Sequence, residues 1–242
     1  MSANPMHQFE IRSIVPMELG GINLAFTNSS LLMILTVLAS TLLMVVPMVR
    51  AGKIPTRWQS IPEMLYEFIY GLIRDVVGSD GLRYLPFVFS LFMMVLMGNM
   101  LGMLPYSFTF TSHIIVTAGL GILVISVVTI MGFVNHGTHF LSLFAPAGLP
   151  KFIYLILIPI EVISFLSRPI TLAVRLAANM TAGHTVLKVF ALFSVQMGLI
   201  FGLAPMLMNS MLVALELLVA TLQAYIFTIL TCVYLKDAIE LH

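Results

Sequence analysis

Apolar residues run along this chain in long unbroken blocks, interrupted by short polar stretches, and the block lengths predict its architecture. After a polar leader over residues 1–30, the first block covers 31–50 and ends at Pro47 and a basic group, Arg50, Lys53 and Arg57. About twenty apolar residues suffice to cross a hydrocarbon core as a helix, so this block predicts a first span. Lys and Arg collect on the cytoplasmic or matrix side, which puts the leader on the outer side. Within the leader, Gly20-Gly21 marks a turn. Asn28-Ser29-Ser30 matches a glycosylation acceptor, a pattern frequent enough by chance to be discounted.

Residues 56–80 follow a different rhythm. Leu65, Phe68, Ile69, Leu72 and Val76 recur at helical spacing, opposite Glu63, Glu67, Arg74 and Asp75. A helix with one apolar and one charged face fits the membrane surface, here on the cytoplasmic side. Ser60 with Glu63 three residues on resembles a capping box, with Pro62 in the first turn. Residues 85–134 form two further blocks joined by the short uncharged segment PYSFTFTSH, which predicts a hairpin turning on the outer side. Gly98, Gly102, Gly119 and Gly121 suggest close helix contacts within it. The blocks over 150–238 are too long for upright spans: a continuous helix over the first would reach roughly 70 Å. They predict two long, inclined helices packed as a hairpin, with a turn near Gly198–Gly202, kinks at Pro159 and Pro169, and a cytoplasmic C-terminal end. The fold class is therefore all-α and polytopic, about five membrane-embedded helices plus one surface helix.

Composition agrees: 60% of residues are hydrophobic and 9% charged, and the mean hydropathy is +1.08. A net charge of +1 gives nucleic-acid binding no support. The single cysteine, Cys232, sits in an apolar block and reads as a buried thiol. No cofactor is called for.

The polar residues inside the last two blocks carry the chemistry. Glu161, Arg168 and Arg175 are spaced by seven and share one side of a helix. Thr171 and Asn179 flank Arg175 by one turn, with Ala178 and Ala182 completing the strip. An arginine near the bilayer centre costs at least ~2.5 kcal/mol on insertion scales, so it marks function more often than chance. Arg168 reads equally well as an internally paired structural residue. In the final block Asn209, Glu216 and Gln223 share a face by the same spacing. An antiparallel hairpin then places His184 level with Glu216 toward the outer side, Gln223 near Arg175 at mid-depth, and Glu161 toward the cytoplasm. His184 lies nine residues from Arg175, near the opposite azimuth, so it can turn to the partner helix while Arg175 faces away. The result is two half-paths, one outer (His184, Glu216, Asn209) and one inner (Glu161), separated by a permanent cation. An ion crossing that gap needs a moving carboxylate that favours its ionised form beside the guanidinium, and this chain has none to spare. The carrier must belong to a partner.

These residues also carry a resemblance. RLAANMTAGH at 175–184, ELLVATLQAYIF at 216–227 and GNMLGMLP at 98–105 resemble subunit a of the F-type ATP synthase membrane sector, over nearly the whole chain. The resemblance implies a stator element beside a c-ring, with protons passing through two offset half-channels. It matches Arg175 to the family's essential arginine, Asn179, His184, Glu216 and Gln223 to channel or interface positions, and Glu161 to a carboxylate on the exit side. Some bacterial members carry a carboxylate at the His184 position and a histidine at the Glu216 position; the arrangement here resembles mitochondrial and alphaproteobacterial members and implies protons rather than sodium. The leader PMHQFEI favours a bacterial inner membrane over a mitochondrial one. The implied partners are c-ring subunits, b-type peripheral-stalk subunits, the remaining synthase subunits and lipid. No GxxxxGK[ST] phosphate loop occurs, so ATP chemistry would lie elsewhere. Two other readings are weighed against this one. A self-contained secondary transporter would show internal repeats, which are not seen. An intramembrane metalloenzyme using His136, His139 and His184 lacks HExxH or a comparable ligand set.

Overall fold

The computed structural model describes residues 10–239 apart from 17, 20, 21, 24, 50, 51, 53, 105, 106 and 145–150. It is helical, with five helices long and apolar enough to cross a membrane. The order is α1 (Asn28–Met48), α2 (Ser60–Val76), α3 (Leu85–Gly102), α4 (Ile114–His136), α5 (Lys151–Gln196), the one-turn α6 (Gly198–Phe201) and α7 (Leu203–Ile239). The all-α polytopic fold is as expected. α5 packs against α4 and α7, α7 also packs on α3, and α1 leans on α3 with most of its surface outward. Such an apolar exterior suits lipid on the outside.

The leader is more ordered than its polarity suggests. Strand β1 (Ser13–Val15) pairs with β4 (Phe26–Thr27), and β2 (Glu18–Leu19) with β3 (Ile22–Asn23), all antiparallel. Asn28 ties this clasp to the start of α1. Its side chain accepts from the Arg12 amide and donates to the Glu10 carbonyl, and its own amide donates to the Arg12 carbonyl. The Gly20-Gly21 turn and the basic residues Arg50 and Lys53 lie outside the described residues.

α2 buries Ile69 and Ile73 completely and leaves Glu67, Arg74 and Asp75 exposed, as an amphipathic helix should. Ile73 belongs to the apolar stripe although the spacing argument passed over it. Phe68, expected on that stripe, is half exposed and reaches the rings of Phe92 and Tyr225. The capping box does not form. Gln59 precedes the helix with helical backbone angles rather than the extended ones an N-cap needs, and its side chain donates to Glu63 Oε1 at 2.7 Å. Ser60 instead donates back to the Thr56 carbonyl.

The hairpin of α3 and α4 is closed by a short 3-10 turn, Phe110–Ser112. Gly98 and Gly102 lie hard against Phe110 and Thr109, and a side chain at Gly121 would meet the Pro169 backbone of α5. Gly119 breaks the expectation: open space surrounds it, because it points away from the α5 contact that Gly121 makes. Across the α3–α7 interface the buried Asn99 amide donates to the Ala220 carbonyl at 3.2 Å. Interhelical bonds of this kind contribute about 0.6 kcal/mol on average in membranes.

α5 and α7 run as two long helices joined through Gly198–Gly202, where Gly198 takes φ 74°, a conformation that favours glycine. The hairpin is tied both to its neighbours and across its own two helices. At one end Thr181 donates to the Ser112 carbonyl at 3.2 Å. At the other, Arg168 pairs with Asp237 at 2.9 Å, and the His136 ring meets the Ile239 carbonyl at 2.9 Å.

Candidate proton site

The polar side chains of α5 and α7 meet in tiers. In the tier nearest the leader, His184 Nδ1 faces Glu216 Oε1 at 3.7 Å, and its Nε2 lies 2.9 Å from the Thr109 hydroxyl. Both Glu216 oxygens are buried without a hydrogen-bond partner among the described residues. Gly183 makes this approach possible, since a Cβ there would sit 2.5 Å from Glu216 Oε1. Beside the tier opens a cavity of about 770 Å³, lined by His184, Lys188 and Asn209, with Glu10, Arg12 and Asn28 supplying a wall from the clasp. Asn209 keeps a buried Oδ1 with no hydrogen-bond partner among the described residues. A large cavity with polar side chains in its wall, lined by the histidine of a buried carboxylate–histidine pair, is suited to delivering a proton from water to the protein interior.

At mid-depth Asn179 donates to Gln223 Oε1 at 3.1 Å. Sequence reasoning placed Gln223 near Arg175; the hydrogen bond is to Asn179, one turn further along α5. Arg175 is half-buried at the edge of an exposed strip formed by Thr171, Val174, Ala178 and Ala182. It has no ion-pair or hydrogen-bond partner among the described residues. Thr171 is exposed and its hydroxyl donates back to the Ser167 carbonyl. The strip therefore divides: Asn179 turns inward to α7 while Arg175 and the small residues face out.

The third tier belongs to the other end. Arg168 takes the structural role open to it, held by Asp237 and lying over the Tyr234 ring at 5.0 Å. Glu161 is half-buried, about one turn before Phe165 on the same helix, with no ion-pair partner among the described residues.

The histidine loop does not assemble a metal centre. His136 is engaged with the Ile239 carbonyl and His139 is exposed, and no group of three ligating side chains occurs among the described residues. His113, at the turn before α4, stacks on Phe108 with ring centroids 5.0 Å apart. Burial lowers its pKa below the ordinary 6.5. The unfolded turn therefore binds the extra proton first, and the turn's stability is full above pH 6.5 and falls as the pH drops through the lowered value. Amide protection in residues 107–113, taken relative to the intrinsic exchange rate at each pH, is expected to fall on acidification from about pH 7 to about pH 5, and to lose that dependence in His113→Gln.

Thr109 and Gly183 were not singled out from the sequence. A threonine in an uncharged turn and a glycine beside a histidine carry no signal until the hairpin places them against His184 and Glu216. Lys188 carried a weak one, being one turn from His184 in an apolar block.

The chain matches the family described as "ATP synthase A chain" over residues 30–236. It is 50% identical over 246 residues to "ATP synthase subunit a" of Paramagnetospirillum magneticum, covering 99% of this chain and all of that protein. It is 51% identical over 239 residues to the protein of the same description from Rhodospirillum rubrum, and 51% over 246 residues to that of Agrobacterium fabrum, with 99% of both chains covered in each case.

Proposed function

The chain belongs to the ATP synthase A chain family, a non-catalytic membrane subunit of the synthase complex, and we propose that it conducts protons as the stator beside a ring of c subunits. The observation that carries this reading is Arg175. A permanent cation in a membrane helix, half-buried on an exposed strip and unpaired among the described residues, calls for a carboxylate from outside the chain. The small residues Ala178 and Ala182 on that strip let another helix approach closely.

In this reading the cavity beside the leader is the outer half-channel. A proton passes Asn209 to the His184–Glu216 pair and neutralises a ring carboxylate. The ring turns, and the proton leaves near Glu161 toward the cytoplasm. Arg175 separates the two halves, since a guanidinium neither accepts nor relays a proton. Asn179 and Gln223 hold α5 to α7 beside it without adding charge, and Thr171 contributes to the surface the ring passes. The peripheral stalk's b-type subunits and lipid cover the remaining apolar exterior. The leader lies on the outer side and the C-terminal end in the cytoplasm of a bacterial inner membrane. The alphaproteobacterial relatives support that location over the mitochondrial one.

Glu216→Gln tests the outer path. The amide preserves shape in a buried site but cannot exchange a proton. ATP-driven pumping in inverted vesicles is expected to fall on the order of 10²-fold, with the amount of assembled complex unchanged. Pumping at the normal rate would remove Glu216 from the path.

A further inference from the structure

The turn between α3 and α4 does more than connect two helices. Thr109 is buried, and its hydroxyl lies 3.0 Å from the Gly102 carbonyl and 2.9 Å from His184 Nε2. A hydroxyl has one hydrogen and two lone pairs. Gly102 is the last residue of α3, so its carbonyl is one of the acceptors a helix C-terminus leaves without an intrahelical donor. A carbonyl can only accept, so the threonine hydrogen goes there. What Thr109 then offers His184 is a lone pair, and the ring nitrogen facing it must carry a hydrogen.

We infer that Thr109 fixes neutral His184 in its Nε2–H form and thereby turns the basic nitrogen, Nδ1, toward Glu216. In the opposite form, lone pairs of Nε2 and Thr109 would face each other at 2.9 Å, or the hydroxyl would abandon the buried Gly102 carbonyl. The support for Thr109 is itself fixed. Ser112 donates to the Thr109 carbonyl at 2.6 Å, Thr181 ties the turn to α5, and Gly102 has no side chain to displace the hydroxyl.

The consequence is directional. With Nδ1 unprotonated and 3.7 Å from Glu216 Oε1, a small side-chain approach brings the pair into hydrogen-bond range. A proton on the Glu216 carboxyl can then pass to Nδ1: the O–H bond breaks, the N–H bond forms, and an imidazolium faces a carboxylate. The return step restores both neutral groups. No ring flip is needed in either direction. The other charged groups near this exchange are Lys188, one turn along α5, and Glu10 and Arg12 of the clasp across the cavity. Transport through the pair rests on the function proposed above; the assignment of the hydrogen to Nε2 does not.

The test uses the whole synthase with ¹⁵N-labelled histidine, reconstituted in vesicles. The imidazole shifts of His184, identified by their loss in His184→Gln, report which nitrogen is protonated. The wild type is expected to show Nε2–H with Nδ1 bare at neutral pH. Thr109→Val is expected to populate Nδ1–H, to slow ATP-driven pumping roughly tenfold and to move the pH profile of pumping; Thr109→Ser is expected to restore all three. A wild-type spectrum showing Nδ1–H overturns the assignment, whether or not the valine variant assembles. An unchanged spectrum in an assembled Thr109→Val complex overturns Thr109 as the cause. A changed spectrum with normal pumping upholds the assignment and overturns the loading role of the His184–Glu216 pair.

Discussion

In inverted vesicles carrying Arg175→Ala, ATP-driven proton pumping is expected to be abolished. Passive proton leak through the membrane sector, measured after the catalytic head is stripped away, is expected to be retained or increased. The reasoning is electrostatic. In the proposed reading Arg175 is the cation that separates the two half-paths, and the contact one turn along α5 is the neutral Asn179–Gln223 pair. Alanine removes both the attraction for a ring carboxylate and the obstacle to a proton or water chain. Lysine preserves the charge but not the delocalised, non-titrating guanidinium, so Arg175→Lys is expected to remain far below wild type. Normal pumping in Arg175→Ala would reduce this residue to a structural one, and the stator reading would fall with it.

Gly121→Val gives the second large effect, on assembly rather than transport. A Cβ at Gly121 lies 2.8 Å from the Pro169 carbonyl and 3.3 Å from its Cα. Those are backbone atoms of α5, which cannot swing aside as a side chain can. Overpacking of this sort costs about 1–3 kcal/mol and more where the backbone is rigid. α5 displaced at Pro169 would also shift Arg168 from Asp237. The expected result is a severe drop in assembled, thermally stable complex in mild detergent. Gly119→Val, two residues away in open space, is the control and should assemble normally. Equal losses in both variants would make the defect one of helix insertion, not of the α4–α5 contact.

The long elements and their order were legible because hydrophobic block length is a direct consequence of the bilayer's thickness. The pairing of polar tiers was partly legible for the same reason: seven-residue spacing and an antiparallel hairpin place His184 beside Glu216 without any contact information. Finer details depended on geometry that spacing does not encode. Gln223 meets Asn179 rather than Arg175 because the roughly 40° offset between positions four apart brings Asn179 against α7 and leaves Arg175 at the edge of the outward strip. The Ser60–Glu63 box failed because the chain before α2 is already coiled, which a pattern of residue types does not reveal. The leader's strands were hidden by their two- and three-residue length. Thr109 was invisible because its importance lies in where one hydrogen points.

The ties at the two ends of the α5–α7 hairpin have a mechanical meaning. Thr181 to Ser112 fastens α5 to the turn between α3 and α4; at the other end Arg168 and Asp237 lock α5 to α7, and His136 to the Ile239 carbonyl fastens that pair to α4. A rod clamped at one end bends like a cantilever under sideways load, whereas one supported at both ends deflects far less at its middle. Arg175 sits near that middle, where a turning partner would push. In the proposed stator role these ties would hold the guanidinium at a near-constant distance from a partner moving past it, passing the sideways load to α4 and to the turn between α3 and α4.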